Sequence, residues 1–321
     1  MEKQSKIFVA GHNGLVGSAL VRALSAAGYS NLLVRTRKEL DLLDHNAVSD
    51  FFQKERPDYV FLAAAKVGGI LANSQYPAEF IYDNLVLQTN VIHNSYLVGV
   101  KRLLFLGSSC IYPKFAPQPM DEDCLLKGEL EPTNEPYAIS KIAGMKMCEA
   151  YNRQYGTCFL SVMPTNLYGP NDNFDLETSH VLPALLRRFY EAKAKKMSAV
   201  TLWGTGSPRR EFLHVDDMAS ACIHVMSLPD EVVESEFLSD EKPSFVNIGC
   251  GSDVTIGELA ERIKGVVAFD GEIEFDTSKP DGTPQKLLNI MKLTSLGWRP
   301  EIALDEGLKS TYSWFLDHYV D

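Results

Sequence analysis

Residues 6–17 read KIFVAGHNGLVG, and this stretch decides the predicted fold. An apolar run is followed by Gly11, Gly14 and Gly17, and from Leu15 onward the apolar side chains recur with helical spacing. Glycines in such a turn permit a close approach of the backbone, and the amino terminus of the helix attracts a pyrophosphate. The stretch therefore predicts a dinucleotide-binding strand, turn and helix, with a plain structural turn as the alternative.

Segments with strand-like and helix-like patterns alternate through the first half of the chain. The predicted strands cover residues 6–10, 32–35, 59–62, 102–106 and 159–163, and the predicted helices cover residues 15–27, 46–54, 78–98 and 137–155. Strands that alternate with helices form right-handed βαβ units and a parallel sheet covered on both faces. The sequence therefore predicts an α/β fold, a Rossmann-type doubly wound parallel sheet with a smaller α/β lobe for substrate binding.

The alternation loosens after about Gly169, and this change sets the predicted domain boundary. Residues 1–170 are predicted to form the dinucleotide-binding domain, with later segments returning to it, and residues 171–321 to form mainly the substrate-binding lobe. The elements assigned to that lobe are helices at residues 181–195, 216–226, 256–267 and 304–315 and strands at residues 200–203 and 245–248. Residues 229–243 are rich in Asp and Glu, which predicts a solvated loop.

The composition is that of a folded, acidic protein. The 321 residues carry 31 Lys and Arg against 42 Asp and Glu, a formal net charge of -11, and 45% of them are hydrophobic. These values exclude wholesale disorder and disfavour a nucleic-acid or anionic-membrane partner. The chain contains no run of about 18 uncharged apolar residues, so no transmembrane helix is predicted. Six cysteines lack the paired spacing of a zinc site and no signal peptide is recognisable, so we expect no metal, free thiols and a cytoplasmic location.

Two arginines follow the second predicted strand, in the stretch Arg35-Thr36-Arg37. An NAD site usually offers a carboxylate to the ribose hydroxyls at this point, whereas the 2′-phosphate of NADP needs a cation. The first carboxylate here, Glu39, comes later. Because a guanidinium can bind phosphate through two parallel hydrogen bonds, the stretch favours NADPH, with two solvated arginines as the alternative.

Ser108 and Cys110 follow the fourth predicted strand, and Tyr137 and Lys141 lie on the next predicted helix. A spacing of four places Tyr137 and Lys141 on one helix face, so both can point at the same reacting centre. An unperturbed phenol has a pKa of about 10, and a nearby ammonium group is expected to lower it. Although Tyr and Lys with this spacing also occur on helix surfaces, their combination with Ser108 and the glycine turn predicts a reductase site.

Several longer stretches carry a family signature. They read AKVGGI at residues 65–70, SSCIYP at 108–113, PTNLYGP at 164–170, NDNF at 171–174 with a histidine at 180, REFLHVDD at 210–217 and KPDG at 279–282. With the motifs above, these stretches resemble the extended short-chain dehydrogenase/reductase superfamily of nucleotide-sugar enzymes over essentially the whole chain. Within it the chain is similar to the epimerase-reductases that act on GDP-4-keto-6-deoxy-D-mannose.

The resemblance implies a role for each matching residue. Ser108, Tyr137 and Lys141 would form the reductase triad, and Cys110 and His180 would form the acid–base pair for epimerisation. The residues that would bind NADP(H) are Gly11, Gly14, Leu15, Val16, Gly17, Arg37, Lys141, Pro164 and His180, and those that would bind the substrate are Asn166, Arg188, Trp203, Arg210 and Asp281. The resemblance also implies a homodimer joined by the helices at residues 78–98 and 137–155.

Some of these residues have ordinary structural explanations when they are considered alone. Cys110 would more often be a packed side chain, and Trp203 could belong to the core. Asn13 occupies a position where some relatives have an arginine near the 2′-phosphate, which would leave more of that contact to Arg37.

Two further functions remain open beside the epimerase-reductase. The first is an NAD-dependent nucleotide-sugar 4-epimerase or 4,6-dehydratase, although a dehydratase normally has acidic residues where this chain has Cys110-Ile111-Tyr112. The second is a non-catalytic dinucleotide sensor, which would tend to lose the tyrosine or the lysine of the triad.

Overall fold

The computed structural model describes residues 1–176, 178–279 and 281–320, without the side chains of Ile70 and Leu71. Pro280, part of one signature stretch, lies outside the described residues. The helices are α1 Leu15–Ala26, α2 His45–Glu55, α3 Ile70–Gln75, α4 Pro77–Leu97, α5 Glu135–Tyr155, α6 Val181–Ala194, α7 Val215–Met226, α8 Asp230–Phe237, α9 Ile256–Val267, α10 Met291–Ser295 and α11 Leu304–Tyr319. The strands are β1 Ile7–Ala10, β2 Leu32–Leu33, β3 Tyr59–Leu62, β4 Arg102–Leu106, β5 Phe159–Pro164, β6 Asn166–Tyr168, β7 Ala199–Trp203, β8 Arg209–Arg210, β9 Phe212–His214, β10 Phe245–Ile248, β11 Val254–Thr255, β12 Glu272–Asp276 and β13 Gln285–Lys286.

A parallel sheet lies at the centre of the described structure, with its six strands in the order β10-β5-β4-β3-β1-β2. Every pairing in this sheet is parallel. All residues of β1, β4, β5 and β10 are buried. Strands covered on both faces carry continuous apolar runs of this kind. The predicted Rossmann-type α/β fold is confirmed.

Helices cover both faces of the sheet. On one face α1 and α7 pack together over the strands through side chains such as Leu20 and Met218. On the other face α2, α4 and α5 contribute Phe52, Val91 and Met145 to a second buried cluster. The sheet is thus fixed between two apolar layers, which holds the ends of its strands in place.

Two segments that we assigned to the second lobe belong to this central unit instead. β10 pairs with β5, with Phe245 opposite Ser161, and α7 packs against α1. The reason is burial: every residue of β10 is apolar or fully enclosed, and a place beside β5 provides cover on both faces.

The acidic segment at residues 229–243 is also partly different from its prediction. Its first half forms α8, in which Val233 and Phe237, four residues apart, are buried against the sheet unit. The charged residues occupy the exposed side of that helix. The apolar i, i+4 pair, rather than the charge content, decided the local structure.

The second lobe has its own buried cluster. It is formed by α6, α9 and α11, with side chains such as Phe189, Leu259 and Phe315 packed together. β7 and β12 pair beside it, and β8 lies between β11 and β13. No helix in the described ranges is long and apolar enough to cross a membrane.

The carboxyl ends of three strands of the central sheet lead to the predicted site residues. Gly11 follows β1, Ser108 follows β4 after one intervening glycine, and Pro164 is the buried last residue of β5. Ligands of doubly wound sheets bind at this edge, where the chain crosses from strand to helix.

Candidate active site

Glycines shape the turn between β1 and α1. Gly11 has a φ of +86°, and a Cβ on Gly17 would lie 2.0 Å from the carbonyl oxygen of Gly11. Among the described residues, no side chain caps α1 at Gly14 and no acidic residue lies in its first turn. The backbone N–H groups at Leu15 and Val16 have no partner within the helix, so this amino terminus fits a pyrophosphate.

A cavity of about 250 Å³ lies beside this turn and is lined by both arginines of the segment after β2. The Arg35 guanidinium donates to Glu55 at 3.2 Å and lies over the ring of Phe51. Arg37 is exposed, and its one ion pair among the described residues is with Asp41 at 3.7 Å. Because such exposed pairs contribute little, Arg37 is available for a 2′-phosphate while Arg35 is held by the fold.

A larger groove of about 570 Å³ lies along the second half of α5 and residues 237–245. Acidic and basic side chains alternate in its lining, and none of the predicted site residues is among them. Within the described part of the chain, no group of His, Cys, Asp and Glu is arranged to hold a metal ion.

Four predicted catalytic residues lie together beyond the carboxyl end of β4. The Ser108 hydroxyl accepts a hydrogen bond from the Cys110 amide at 3.4 Å. Tyr137 and Lys141 are one turn apart on α5, and the Lys141 ammonium lies 5.8 Å from the centre of the Tyr137 ring. That ammonium donates to the carbonyl of Leu106 at 2.8 Å, which ties α5 to the end of β4.

The protonation of Tyr137 differs from the sequence prediction. Burial raises the pKa of Tyr137 well above that of a free phenol, Cys110 raises it further once its thiol is ionised, and the hydrogen bond from Ser108 lowers it by less. The prediction of a lowered Tyr137 pKa is wrong for this structure, because the effect of burial on the phenol is the largest one. Burial also lowers the pKa of Lys141, to about 8. Tyr137 is therefore held as the neutral phenol, which is the form that can donate a proton.

Cys110 and His180 are shifted toward their neutral forms. Burial raises the pKa of the Cys110 thiol, opposed by the hydrogen bond to Ser108 and by the ammonium groups of Lys286 and Lys141. The His180 side chain is exposed on one side, yet the protein atoms close to the imidazole partly desolvate it and so lower its pKa. At neutral pH these two residues thus offer one proton donor and one proton acceptor.

His180 is separated from the other four catalytic candidates. It is the N-cap residue of α6, and no hydrogen bond in the described structure joins it to those four. The loop after β3 links the two groups: the Gly69 amide donates to the Thr178 carbonyl at 2.9 Å. From the neighbouring helix, Phe80 packs edge to face on Tyr137 with ring centres 6.2 Å apart.

Two arginines of the second lobe are suited to an anionic ligand. Arg188 on α6 and Arg210 on β8 are half-buried, and neither forms an ion pair with a carboxylate of the described residues. Arg210 donates to the carbonyls of Arg209 and Thr283, at 2.7 and 2.6 Å, and its burial lowers its pKa. A partly buried cation without an acidic partner is stabilised when an anion binds.

Two other predicted substrate residues have structural hydrogen bonds. The Asn166 amide donates to the Glu211 carbonyl at 2.9 Å. The Asp281 carboxylate accepts from the amide and hydroxyl of Thr205, both at 2.8 Å. Asp281 therefore fixes the turn that follows Trp203. The Trp203 ring is 67% exposed, and the Lys279 ammonium lies 5.8 Å from its centre, so this ring is free to stack on a ligand.

Sequence reasoning did not find Lys286. It lies on β13 directly opposite Arg210 on β8, and its ammonium opposes the raised pKa of the Cys110 thiol. Burial lowers the pKa of Lys286 in turn. A single lysine after a loop belongs to no motif that could be recognised in the sequence. Its position near the end of β4 depends on the pairing of β13 with β8.

The chain is similar to known proteins over nearly its whole length. Residues 7–249 match the model of the NAD dependent epimerase/dehydratase family. The chain is 59% identical over 320 residues to a GDP-L-fucose synthase of Escherichia coli (strain K12), covering 99% of this chain and 98% of the relative. Among solved structures it is similar to a GDP-6-OMe-4-keto-L-xylo-heptose reductase from C. jejuni, with a TM-score of 0.93, 42% identity and 99% of each chain covered. A GDP-L-fucose synthetase from Naegleria fowleri bound to NADP gives a TM-score of 0.88 at 28% identity, over 99% of this chain and 96% of that one.

Proposed function

The chain belongs to the NAD dependent epimerase/dehydratase family, and we propose that it is a bifunctional epimerase-reductase that makes GDP-L-fucose. In this reaction GDP-4-keto-6-deoxy-D-mannose is inverted at C3 and C5 and then reduced at C4 with NADPH. The observation that carries the proposal is the grouping of Ser108, Cys110, Tyr137 and Lys141 at the end of β4, beside a dinucleotide turn.

Epimerisation depends on the ketone of the substrate. A carbonyl at C4 makes the hydrogens on C3 and C5 acidic, because the carbanion that forms is stabilised as an enolate. Inversion requires one group to remove a proton from one face and another to return a proton to the opposite face. The Cys110 thiol and the His180 imidazole supply a donor and an acceptor for this exchange, and each recovers its proton state through solvent.

Reduction uses the same carbonyl. NADP(H) supplies the hydride when it is bound. The neutral phenol of Tyr137 donates a proton to the oxygen at C4, and the Ser108 hydroxyl donates a hydrogen bond to the same oxygen. The Lys141 ammonium ties the first half of α5 to the Leu106 carbonyl. It also adds a positive charge near the substrate oxygen at C4.

We assign the cofactor and the nucleotide of the substrate to different lobes. We assign NADP(H) to the central sheet unit, with its pyrophosphate at the amino terminus of α1 and its 2′-phosphate near Arg37. We assign the GDP part of the substrate to the second lobe, where Arg188 and Arg210 would bind the diphosphate and Trp203 would stack on the base. Local cations of this kind let an acidic protein retain an anionic ligand.

Arg37→Ala is expected to reduce the preference for NADPH over NADH by roughly 10- to 100-fold, because a hydrogen bond to a charged group contributes about 1.5–3 kcal/mol. The ratio of kcat/KM for the two cofactors measures this. Arg22→Ala is a matched control, since it removes an exposed arginine of α1 that is paired with Asp216. A ratio that is unchanged in Arg37→Ala would show that Arg37 is only a surface charge.

We also propose a homodimer formed through α4 and α5. Tyr82 and Leu97 on α4 and Ile139 and Tyr155 on α5 are between 40% and 64% exposed. Tyr155 stacks on Tyr96 across the two helices with ring centres 4.3 Å apart. Exposed apolar side chains that recur along two neighbouring helices mark an interface more often than isolated ones do.

Light scattering is expected to give a mass of twice 35.7 kDa for the wild type. Tyr155→Glu should shift it toward the monomer, because a carboxylate would be buried at the interface without a partner. Tyr319→Glu on α11, where the tyrosine is 49% exposed, serves as the control and should stay dimeric. A wild-type mass of 35.7 kDa would contradict the dimer.

A further inference from the structure

The signature at residues 65–70 has no role in the chemistry described above, and its position suggests one. We propose that Gly69 is a positioning residue for His180: it holds the backbone next to His180 against the loop that follows β3. This inference rests on the proposed epimerase function.

The loop is anchored firmly at its start. The Asn84 side chain, on α4, accepts a hydrogen bond from the Lys66 amide at 2.9 Å and donates one to the Lys66 carbonyl at 3.0 Å. The Lys66 ammonium forms ion pairs with Glu79 and Asp83, also on α4. The loop therefore does not move independently of the helix that packs beside Tyr137.

The far end of the loop is also held by hydrogen bonds. The Asn73 side-chain amide donates to the carbonyls of Gly68 and Gly69, at 2.8 and 3.0 Å. The Gly69 amide then donates to the Thr178 carbonyl at 2.9 Å, which is the hydrogen bond that joins this loop to the segment leading into α6. Both anchors act on a single short stretch of backbone.

The contact at Gly69 leaves no room for a side chain. A Cβ on Gly69 would lie 2.8 Å from the carbonyl oxygen of Ser179, the residue before His180. The backbone of Gly69 has a φ of -66° and a ψ of -180°, which any residue can adopt. Glycine is therefore required here by the neighbouring backbone and not by its own conformation.

A methyl group at Gly69 would push on backbone rather than on a flexible side chain. Ser179 would have to shift, and His180 follows it directly at the start of α6, where the His180 carbonyl accepts from the Ala184 amide at 3.1 Å. Gly68 differs, because a Cβ there would meet the side chains of Ala72 and Phe80 instead. The effect of Gly69→Ala should therefore fall on His180 and hence on epimerisation.

The test compares epimerisation and reduction within each of three proteins. Gly69→Ala, Gly265→Ala and wild type are each given the substrate and NADPH in D2O, and deuterium at C3 and C5 is measured beside hydride transfer to C4. Gly265 lies on α9 and a Cβ there meets nothing within 4 Å, so it is the matched control. Each variant is also given the ketone already inverted at C3 and C5, so that reduction is measured without epimerisation.

We expect Gly69→Ala to lower deuterium incorporation by roughly 10- to 100-fold, since displacements of about 1 Å in a catalytic group have effects of this size. It should reduce the inverted ketone at the wild-type rate. A C4-reduced product that is not inverted should then accumulate. Gly265→Ala should behave as wild type in every assay.

Two results for Gly69→Ala would overturn the inference. Gly69→Ala could incorporate deuterium as fast as wild type, or it could lose reduction of the inverted ketone to the same extent as epimerisation. If Gly69→Ala does not fold, Asn73→Ala, which removes the two clamping hydrogen bonds, is judged by the same two criteria. Wild type without any deuterium would instead refute the proposed epimerase function, and the inference with it.

Discussion

Tyr137→Phe is expected to lower the rate of C4 reduction by roughly 10²- to 10⁴-fold, the usual contribution of a positioned proton donor. The change removes one hydroxyl and leaves the ring on Phe80, so binding of the nucleotide sugar should be almost unaffected. Stopped-flow measurement of NADPH oxidation, together with the dissociation constant of the substrate, separates these two effects.

The control for this variant is Tyr29→Phe, which removes a phenol hydroxyl whose partner is the Met1 carbonyl, outside the predicted site. It should reduce the substrate at the wild-type rate. Normal turnover by Tyr137→Phe would remove Tyr137 from the triad. A defect that appears only in substrate binding would assign Tyr137 to recognition instead.

Cys110→Ala is expected to suppress deuterium incorporation at C3 and C5 by roughly 10²- to 10⁴-fold, because it removes one member of the acid–base pair. Ser108, Tyr137 and Lys141 remain, so the variant should still reduce the ketone slowly and give a product that is not inverted. Mass spectrometry and NMR of the product measure both effects.

Cys124→Ala is the matched control, since Cys124 is a half-buried free cysteine outside the group at the end of β4. Normal amounts of the inverted product from Cys110→Ala, formed at the normal rate, would contradict the role of the thiol. The comparison matters because a protein with a TM-score of 0.93 to this chain is named only as a reductase. Reduction alone is therefore weaker evidence for the proposed function than reduction with inversion.

The central sheet could be predicted from the sequence because its strands are mostly apolar runs that alternate with helix-like segments. The assignment of β10 could not, since a four-residue stretch with three apolar residues carries no mark of the sheet it joins. Only its pairing with β5 shows that it returns to the first unit. The prediction for α8 is wrong for a different reason, because the many charges of this segment favour a loop while the i, i+4 spacing of Val233 and Phe237 favours a helix.

The site residues could be named from motifs, but their electrostatics could not. The i, i+4 spacing of Tyr137 and Lys141 is correct, yet the sign of the Tyr137 pKa shift depends on how deeply the phenol is buried. Asp281 illustrates a similar limit: its motif indicates function, and its hydrogen bonds to Thr205 show that it acts on the turn after Trp203. Contacts between distant segments, such as Gly69 with Ser179, have no signal in the local sequence.

The measurement that tests the account most directly is the location of deuterium in the product formed by wild-type enzyme with unlabelled NADPH in D2O. Proton exchange beside a ketone takes hydrogen from solvent, whereas a 4-epimerase transfers the same hydride to and from NAD. We predict deuterium at both C3 and C5 and none at C4, in a product that is GDP-L-fucose. A product with no deuterium at C3 and C5 would contradict the epimerase-reductase account and favour a reaction confined to C4.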